Sequence, residues 1–462
     1  MDTATVERTS THMIPERSAT TGELWEWMAL VRASNTPTVL ADCAVGLAMA
    51  AAVRANLSYP GLVFSGLLEV VCAMCALYFA GMVLNAIVDR DIDSIERPTR
   101  PVASGRIRLP AAWTAFIALL AIGLSLGVGM TSGILPLALA ALVGVWTIDK
   151  ARRSQSTMLH RIGRVWIAVS IVGAAAWIAV MLLTDPFDLT GFEADRADQI
   201  RTSWRATTIP VLLLSLAAIS YNLLHKRTAW SVLLLAACRF LVPVSVCTAL
   251  LARTGSLDTR LLSMNASGFL ALLVLPPLAI AFHTLMLSIV ARREADQHFT
   301  EARCARCGHQ LHGASAIRCS ECGCDLTARP PICSRPIPPA LRTWLPFIAA
   351  VGLVPALVLL SVSMRESLGM MRFGNAAGGI AHLVVIALAG IAALCFVWIS
   401  TRGLVAALNH PSRRPAGVAA LIAALAMLDA CLCTVLGQPL LLGVCAALWF
   451  VTRMLQRKTA GS

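Results

Sequence analysis

Residues 85–106 read NAIVDRDIDSIERPTRPVASGR. They close an apolar run, 61–88, that is long enough to cross a bilayer. Asn85, Asp89 and Asp93 recur at i, i+4 and i+8, so a continuing helix sets a carboxamide and two carboxylates on one face. Hard oxygen donors of this kind suit Mg2+. Arg97, Arg100, Arg106 and Arg108 follow at once. A carboxylate face that ends a membrane helix and runs into a basic loop can hold Mg2+ and a polyanionic head group. A diphosphate on a lipid tail fits that chemistry. The rival reading is a solvated helix end, with no chemistry at all.

The rest of the chain sets that helix among many others. Of its 462 residues, 57% are hydrophobic and only 14% charged. Soluble domains carry about 25% charged residues, so the mean hydropathy of +0.74 excludes an ordinary soluble enzyme. Apolar windows of membrane-spanning length fall near 36–55, 62–88, 111–129, 132–148, 164–184, 207–224, 232–252, 264–290, 343–363, 378–399, 414–432 and 437–454. Two pairs abut through very short turns. The expected fold is therefore all-α: a polytopic integral membrane helical bundle of about 10–12 transmembrane helices, carrying a small zinc-ribbon insert. Residues 1–24 read as a polar cytoplasmic tail, 25–296 as membrane helices, 297–335 as the insert, 336–455 as C-terminal membrane helices and 456–462 as a tail.

The formal charge of +13 is unevenly placed. The loops 90–108, 149–164, 225–227, 292–293 and 402–414 are basic, and 185–198 is acidic. This alternation fits the positive-inside rule with both termini cytoplasmic. Orientation accounts for most of the basic excess, and no nucleic-acid partner is expected. Residues 1–24 lack the apolar core of a cleaved signal peptide. The first helix would serve as an uncleaved anchor in a cell (inner) membrane.

Six of the 15 cysteines crowd between Cys304 and Cys333, and the other nine lie in apolar windows as small fillers. Cys304, Cys307, Cys319 and Cys322 have the spacing C-x2-C-x11-C-x2-C, each pair followed by glycine. Four thiolates at this spacing can close a tetrahedral, structural Zn2+ site. A disulfide pair or a redox site suits a cytoplasmic loop less well. His309 and His312 are bystanders to four good ligands.

Two further stretches carry candidate site residues. Tyr221 ends one apolar window, Lys226 sits in the short loop after it, and Arg239 lies one third into the next window. An arginine inside a membrane helix costs about 2.5–3.5 kcal/mol on insertion scales and faces a polar interior. No acidic residue in the same window offers Arg239 a partner, which favours a role in function. Lys226 reads equally as one more topology signal. The window 264–290 ends in His283, Arg292, Arg293, Glu294 and Asp296, a basic membrane-exit patch or part of a site.

Taken together, these residues resemble the UbiA superfamily of intramembrane prenyltransferases. The family's first motif, N-D-x-x-D-x-x-x-D followed by R-P-x-R-P-x-x-S-G, is met by Asn85, Asp89, Asp93, Arg97, Pro98, Arg100, Pro101, Ser104 and Gly105; Ala86 replaces the usual second aspartate. The stretch 27–46, with Arg32 and Asn35, resembles the family's first helix, and Tyr221, Lys226 and Arg239 match its tyrosine-to-lysine segment. ALIAALAMLDACL with Asp429, and ARREA at 291–295, resemble the EboC-like branch. The resemblance covers roughly 25–130, 207–296 and 375–455 and leaves out the insert and 132–205. The family's second aspartate motif is not reproduced, because Arg292 and Arg293 precede Glu294 and Asp296.

The resemblance implies a Mg2+-dependent transfer of an isoprenyl group from a prenyl diphosphate to an aromatic or other small lipophilic acceptor. Asp89, Asp93, Lys226 and Arg239 would be catalytic, and Asn85, Asp89 and Asp93 would hold Mg2+. Arg32, Asn35, Asn85, Arg97, Arg100, Ser104, Tyr221, Arg292 and Arg293 would bind substrate. Two other classes stay open: a lipid-diphosphate binding or transport protein without chemistry, and a membrane-tethered zinc ribbon that recruits a protein partner.

Overall fold

The structure is a computed structural model, and it describes residues 19–53, 66–128, 158, 165, 194–225, 228, 230–253, 268, 270–296, 377–409 and 414–459. Among these residues every regular element is helical. The helices are α1 (Ala19–Leu30), α2 (Thr36–Val53), α3 (Leu68–Val88), α4 (Arg90–Glu96), α5 (Leu109–Val128), α6 (Ala194–Leu224), α7 (Ser231–Arg253), α8 (Leu275–Asp296), α9 (Ala377–Asn409), α10 (Arg414–Val435) and α11 (Pro439–Thr459). A short 3-10 turn, Ala33–Asn35, leads into α2, and a π-helical turn, Leu270–Val274, leads into α8. The described residues include nine helices long and apolar enough to cross a membrane. The chain is a polytopic all-α membrane bundle.

The core forms where small side chains let helices approach. Helix α2 reads TPTVLADCAVGLAMAAAV and is buried along almost its whole length. It packs against α3, α7, α10 and α11. Alanine and glycine permit this, since within a bilayer helices associate through close van der Waals contact rather than hydrophobic exclusion from water. At Gly46 a β-carbon would sit 2.6 Å from the Pro243 carbonyl oxygen and from Val246. The α2–α7 crossing therefore depends on the missing side chain. Around α2 the neighbours follow one another: α3 packs on α5, α5 on α6, α6 on α7, α7 on α8, α8 on α10, and α10 on both α9 and α11. The outer faces are apolar. Leu212, Leu213 and Leu216 of α6 and Ile391, Leu394 and Trp398 of α9 are exposed, as lipid-facing side chains must be when only the backbone is satisfied within the helix.

Helix bounds differ from the apolar windows in ways hydropathy cannot see. Helix α3 runs from Leu68, after Gly66 at φ 90°, and the window's first residues, 62–65, lie outside the described residues. Helix α6 begins at Ala194, so part of the acidic loop 185–198 is helical and polar residues extend a membrane helix. Helix α9 continues to Asn409, about ten residues past its apolar window. The windows near 132–148, 164–184 (apart from Val165) and 343–363, and the insert with Cys304, Cys307, Cys319 and Cys322, lie outside the described residues. The nine cysteines of the apolar windows are all free thiols.

Candidate active site

The aspartate helix bends at its chemistry. Helix α3 stops at Val88, Asp89 takes φ −83° and ψ −2°, and α4 starts at Arg90. The i to i+4 register survives, because the Asp89 amide donates to the Asn85 carbonyl at 2.9 Å and the Asp93 amide to the Asp89 carbonyl at 2.7 Å. The three side chains thus keep one face. They are also buried: Asn85 is 9% exposed, Asp89 4% and Asp93 3%. A solvated helix end does not look like this. Buried carboxylates demand partners, and each has one. Asn85 Nδ2 donates to Asp89 Oδ2 at 2.5 Å. Arg100 Nη1 donates to Asp93 Oδ2 at 2.6 Å.

The loop after α4 is built to present Arg100. Pro98 and Pro101 fix φ on either side of it. The Arg97 amide donates to the Asp93 carbonyl, the Arg100 amide to the Arg97 carbonyl, and the Ser104 amide to the Arg100 carbonyl, so the chain coils tightly. Gly105 takes φ 76° and lets the Ile107 amide return to the Pro101 carbonyl at 2.9 Å. Val102 and Ile107 are buried with Leu30, Ala80, Val83, Leu84 and Ile87, which pins the loop to α1 and α3. Arg106 closes the outside by pairing with Glu26 at 2.6 Å and donating to Ser104 Oγ and the Thr99 carbonyl.

Facing this loop, Arg32 takes φ 49° and ψ 52°; it is the non-glycine residue with positive φ among those described. Left-handed backbone at a bulky residue costs about 1–2 kcal/mol and marks a position worth a functional reading. Its carbonyl accepts from Tyr78 Oη at 3.3 Å. Desolvation by surrounding protein, and next the Arg100 guanidinium, lower the Arg32 pKa from the ordinary arginine value. Arginine nonetheless stays charged at physiological pH. A cleft of about 50 Å³ opens here, lined by Arg32, Asn85, Asp93 and Arg100 with apolar Leu30 and Met82 beside them. Two guanidiniums, a carboxamide and a carboxylate at one mouth of a membrane bundle form a site for an anion bridged to a cation.

Sequence reasoning missed His225. It directly follows α6, where its ring stacks on Tyr221 with centroids 5.3 Å apart. Nε2 lies 3.2 Å from the Asp89 carboxylate and Nδ1 lies 3.0 Å from the Asn222 carbonyl. The spacing Tyr221-x-x-x-His225 places both on one helix face and was the available signal. His225 thereby brings α6, and Tyr221 with it, to the aspartate helix. Arg97 and Ser104 are exposed on the loop. Asn35 closes the turn that follows Arg32, donating its amide to the Arg32 carbonyl at 2.9 Å. Lys226 lies outside the described residues. Arg292 and Arg293 belong to the last turns of α8.

Arg239 is placed elsewhere. It forms an ion pair with Asp42 of α2 at 2.5 Å and donates to Thr38 Oγ1 at 2.9 Å. Its own window holds no acid because the partner, Asp42, comes from another helix. Among the described residues no group of three or more His, Cys, Asp or Glu is placed to hold a metal. The Asp89–Asp93 pair with Asn85 still fits Mg2+, which takes one or two carboxylates and leaves its other positions to substrate phosphate and water.

One comparison with known proteins falls on this site. The model of the UbiA prenyltransferase family matches residues 39–191, about a third of the chain, and the matched segment includes Asn85, Asp89, Asp93 and the arginine loop. The match supports a transferase that moves alkyl groups other than methyl. A solved structure of digeranylgeranylglyceryl phosphate synthase is 14% identical, with 90% of this chain and 99% of that chain covered at a TM-score of 0.40. Comparison with curated proteins gives no match.

Proposed function

We propose that this chain is an intramembrane prenyltransferase that transfers an isoprenyl group from a prenyl diphosphate to a small lipophilic acceptor. One observation carries the reading: Asn85, Asp93, Arg100 and Arg32 converge on one cleft at the end of membrane helices, and Asp89 stands beside them, held by Asn85 and His225. The match to the UbiA family model over that segment supports it. The cleft opens on the basic, inward-facing side of a cell membrane.

The roles follow from charge. Asn85, Asp89 and Asp93 would hold Mg2+. Bound there, Mg2+ supplies positive charge to the leaving diphosphate. Arg32 and Arg100 face the same anion with guanidinium hydrogen bonds, which are strongest to phosphate in partly desolvated sites. The bond from the prenyl carbon to diphosphate oxygen breaks with its electron pair on the diphosphate, those donors stabilise the growing charge, and an electron pair of the acceptor forms the new bond to that carbon as the acceptor's proton passes to the released diphosphate. Apolar neighbours such as Leu30 and Met82 exclude water from the carbon that becomes electrophilic. His225 and Tyr221 orient Asp89 from α6. Lys226, Arg292 and Arg293 would add positive charge for the diphosphate, and Cys304, Cys307, Cys319 and Cys322 would hold a structural Zn2+.

The test is diphosphate release by the purified full chain in lipid, given farnesyl or geranylgeranyl diphosphate, Mg2+ and a panel of phenolic and hydroxylated acceptors. Release that needs both Mg2+ and an acceptor supports the reading. Tight Mg2+-dependent binding without release by any acceptor would replace it with a lipid-diphosphate binding protein.

A further inference from the structure

Asp42, Arg239 and Asp429 form a second polar cluster that the proposed reaction does not use. They come from α2, α7 and α10, three helices that pack on one another through α2. Asp42 and Asp429 are both 0% exposed. Arg239 satisfies one oxygen of Asp42 and turns its second amino group to Thr38. The other oxygen of Asp42 and both oxygens of Asp429 have no hydrogen-bond donor. Yet Asp429 lies on α10, which packs directly against α2, and the two buried carboxyls act on each other.

Two facing acceptors without a hydrogen between them are a contradiction in a folded interior. Were both acids ionised, one guanidinium would leave a net negative charge within apolar helices, where uncompensated charge is heavily penalised. Three acceptor lone-pair groups would also stand unmet, although buried polar groups are nearly always paired. One proton removes the first fault and reduces the second from three unmet oxygens to one. It neutralises the surplus charge and makes one carboxyl the donor to the other.

We propose that Asp42 and Asp429 form an intramembrane proton-binding site, with one proton shared between the two carboxyls and Arg239 holding Asp42 in place. Nothing larger fits easily. Neither acid has surface accessible to water, and a bound water needs both volume and polar partners. The groups that face the pair are few. Cys43 comes from α2, Cys433 from α10 and Cys445 from α11, and each is within electrostatic reach of Asp429. His283 of α8 and Tyr78 of α3 lie in the field of Arg239 rather than on the pair. His283 spends Nε2 on the Leu421 carbonyl at 2.9 Å. The site is independent of the prenyltransferase reading and survives if that reading fails.

Infrared spectroscopy of the full chain in lipid nanodiscs tests for the proton itself. The C=O band of a protonated carboxyl should be present in the parent protein and lost in Asp429→Asn. That variant should keep the parent melting temperature, because its amide N–H replaces the shared O–H as donor to Asp42. Asp429→Leu should lower the melting temperature, because Asp42 then faces an apolar group. A second arm uses dicyclohexylcarbodiimide, an apolar reagent that adds to protonated carboxyls. Any adduct found by peptide mass spectrometry should form equally in sodium and in choline chloride. Absence of the infrared band overturns the proposal whatever the reagent does. Protection by sodium would also overturn it, and would assign the site to a metal cation. Mg2+-dependent farnesyl diphosphate binding should be unchanged in Asp429→Asn, so a loss of proton binding is distinguishable from a failed reaction.

Discussion

Two clusters in this bundle use the same side chains to opposite ends. At the end of α3, Asp89 and Asp93 meet Asn85, His225 and Arg100 beside an open cleft. In the middle of α2, Asp42 meets Arg239 and Asp429; neither acid has surface left to water, and Arg239 keeps 15% of its side chain exposed. Both pair a carboxylate with a guanidinium near 2.5 Å. They differ in what surrounds the pair. Arg100 keeps 25% of its side chain exposed and has Arg32 as a second cation nearby, so the helix-end cluster has positive charge to offer an incoming anion. Arg239 is spent within its own cluster. An open pair can exchange partners with a ligand; a sealed pair holds the helices together and keeps its proton away from water.

The largest expected effect breaks the sealed pair. Arg239→Gln leaves Asp42 ionised, or forces a second proton onto the cluster. Removing one partner of a buried ion pair costs about 3–5 kcal/mol. Thermal unfolding in lipid or detergent should show a large drop in melting temperature, and Asp42→Asn/Arg239→Gln should recover part of it because the orphaned charge is gone. A neutral result would mean that the pair is not sealed and that the contrast with the helix end is wrong.

Next comes the open cluster, where the effect should fall on chemistry rather than stability. Asp93→Asn and Asp89→Asn each remove negative charge from the face proposed to hold Mg2+. Loss of one such electrostatic group is worth roughly 100-fold in rate, about 2.7 kcal/mol. Diphosphate release should fall by that factor, and the melting temperature should move less than in Arg239→Gln. If stability fell as far and release did not, the two clusters would exchange roles.

This contrast was only half legible in the sequence. The membrane class followed from composition, and the Asn85–Asp89–Asp93 face followed from spacing, since a four-residue repeat means one helix face whatever the tertiary structure. Burial of that face did not follow. An acid at a predicted helix end reads as solvated until α1, α6 and the arginine loop close over it. Asp42 was lost inside an alanine-rich run, and its partner lies 197 positions away, beyond any local pattern. His225 was hidden by the neighbouring lysine, the residue that charge patterning looks for. The left-handed turn at Arg32 left no signal, because bulky residues rarely take it.

The two guanidiniums at the cleft give the next test of openness. Arg32→Gln or Arg100→Gln should weaken Mg2+-dependent farnesyl diphosphate binding about tenfold each, or about 1.4 kcal/mol. Isothermal titration measures it. Arg100→Gln should also raise the salt tolerance of what binding remains, since one fewer charge is screened. Affinity unchanged within twofold for both variants would make the cleft's positive lining incidental and return Arg100 to a purely structural partner of Asp93.

The smallest expected effect asks whether the arginine loop is positioned by its backbone. Gly105 takes φ 76°, and a β-carbon there would meet nothing within 4 Å. Alanine therefore brings no clash, only the conformational penalty of a left-handed L residue, about 1 kcal/mol. That cost has two places to appear. If the turn holds, it appears as a small drop in melting temperature with diphosphate affinity intact. If the turn relaxes, the Ile107 amide lets go of the Pro101 carbonyl and the anchoring of Val102 and Ile107 weakens. Arg100 then loses its aim, and affinity falls by up to about fivefold while the melting temperature barely moves. Gly105→Ala therefore separates a rigid loop from a pliant one. The open cluster requires the pliant outcome, because Arg100 must turn from Asp93 toward an arriving anion. Unaltered affinity with a lowered melting temperature would mean that the loop is as fixed as the sealed pair in α2.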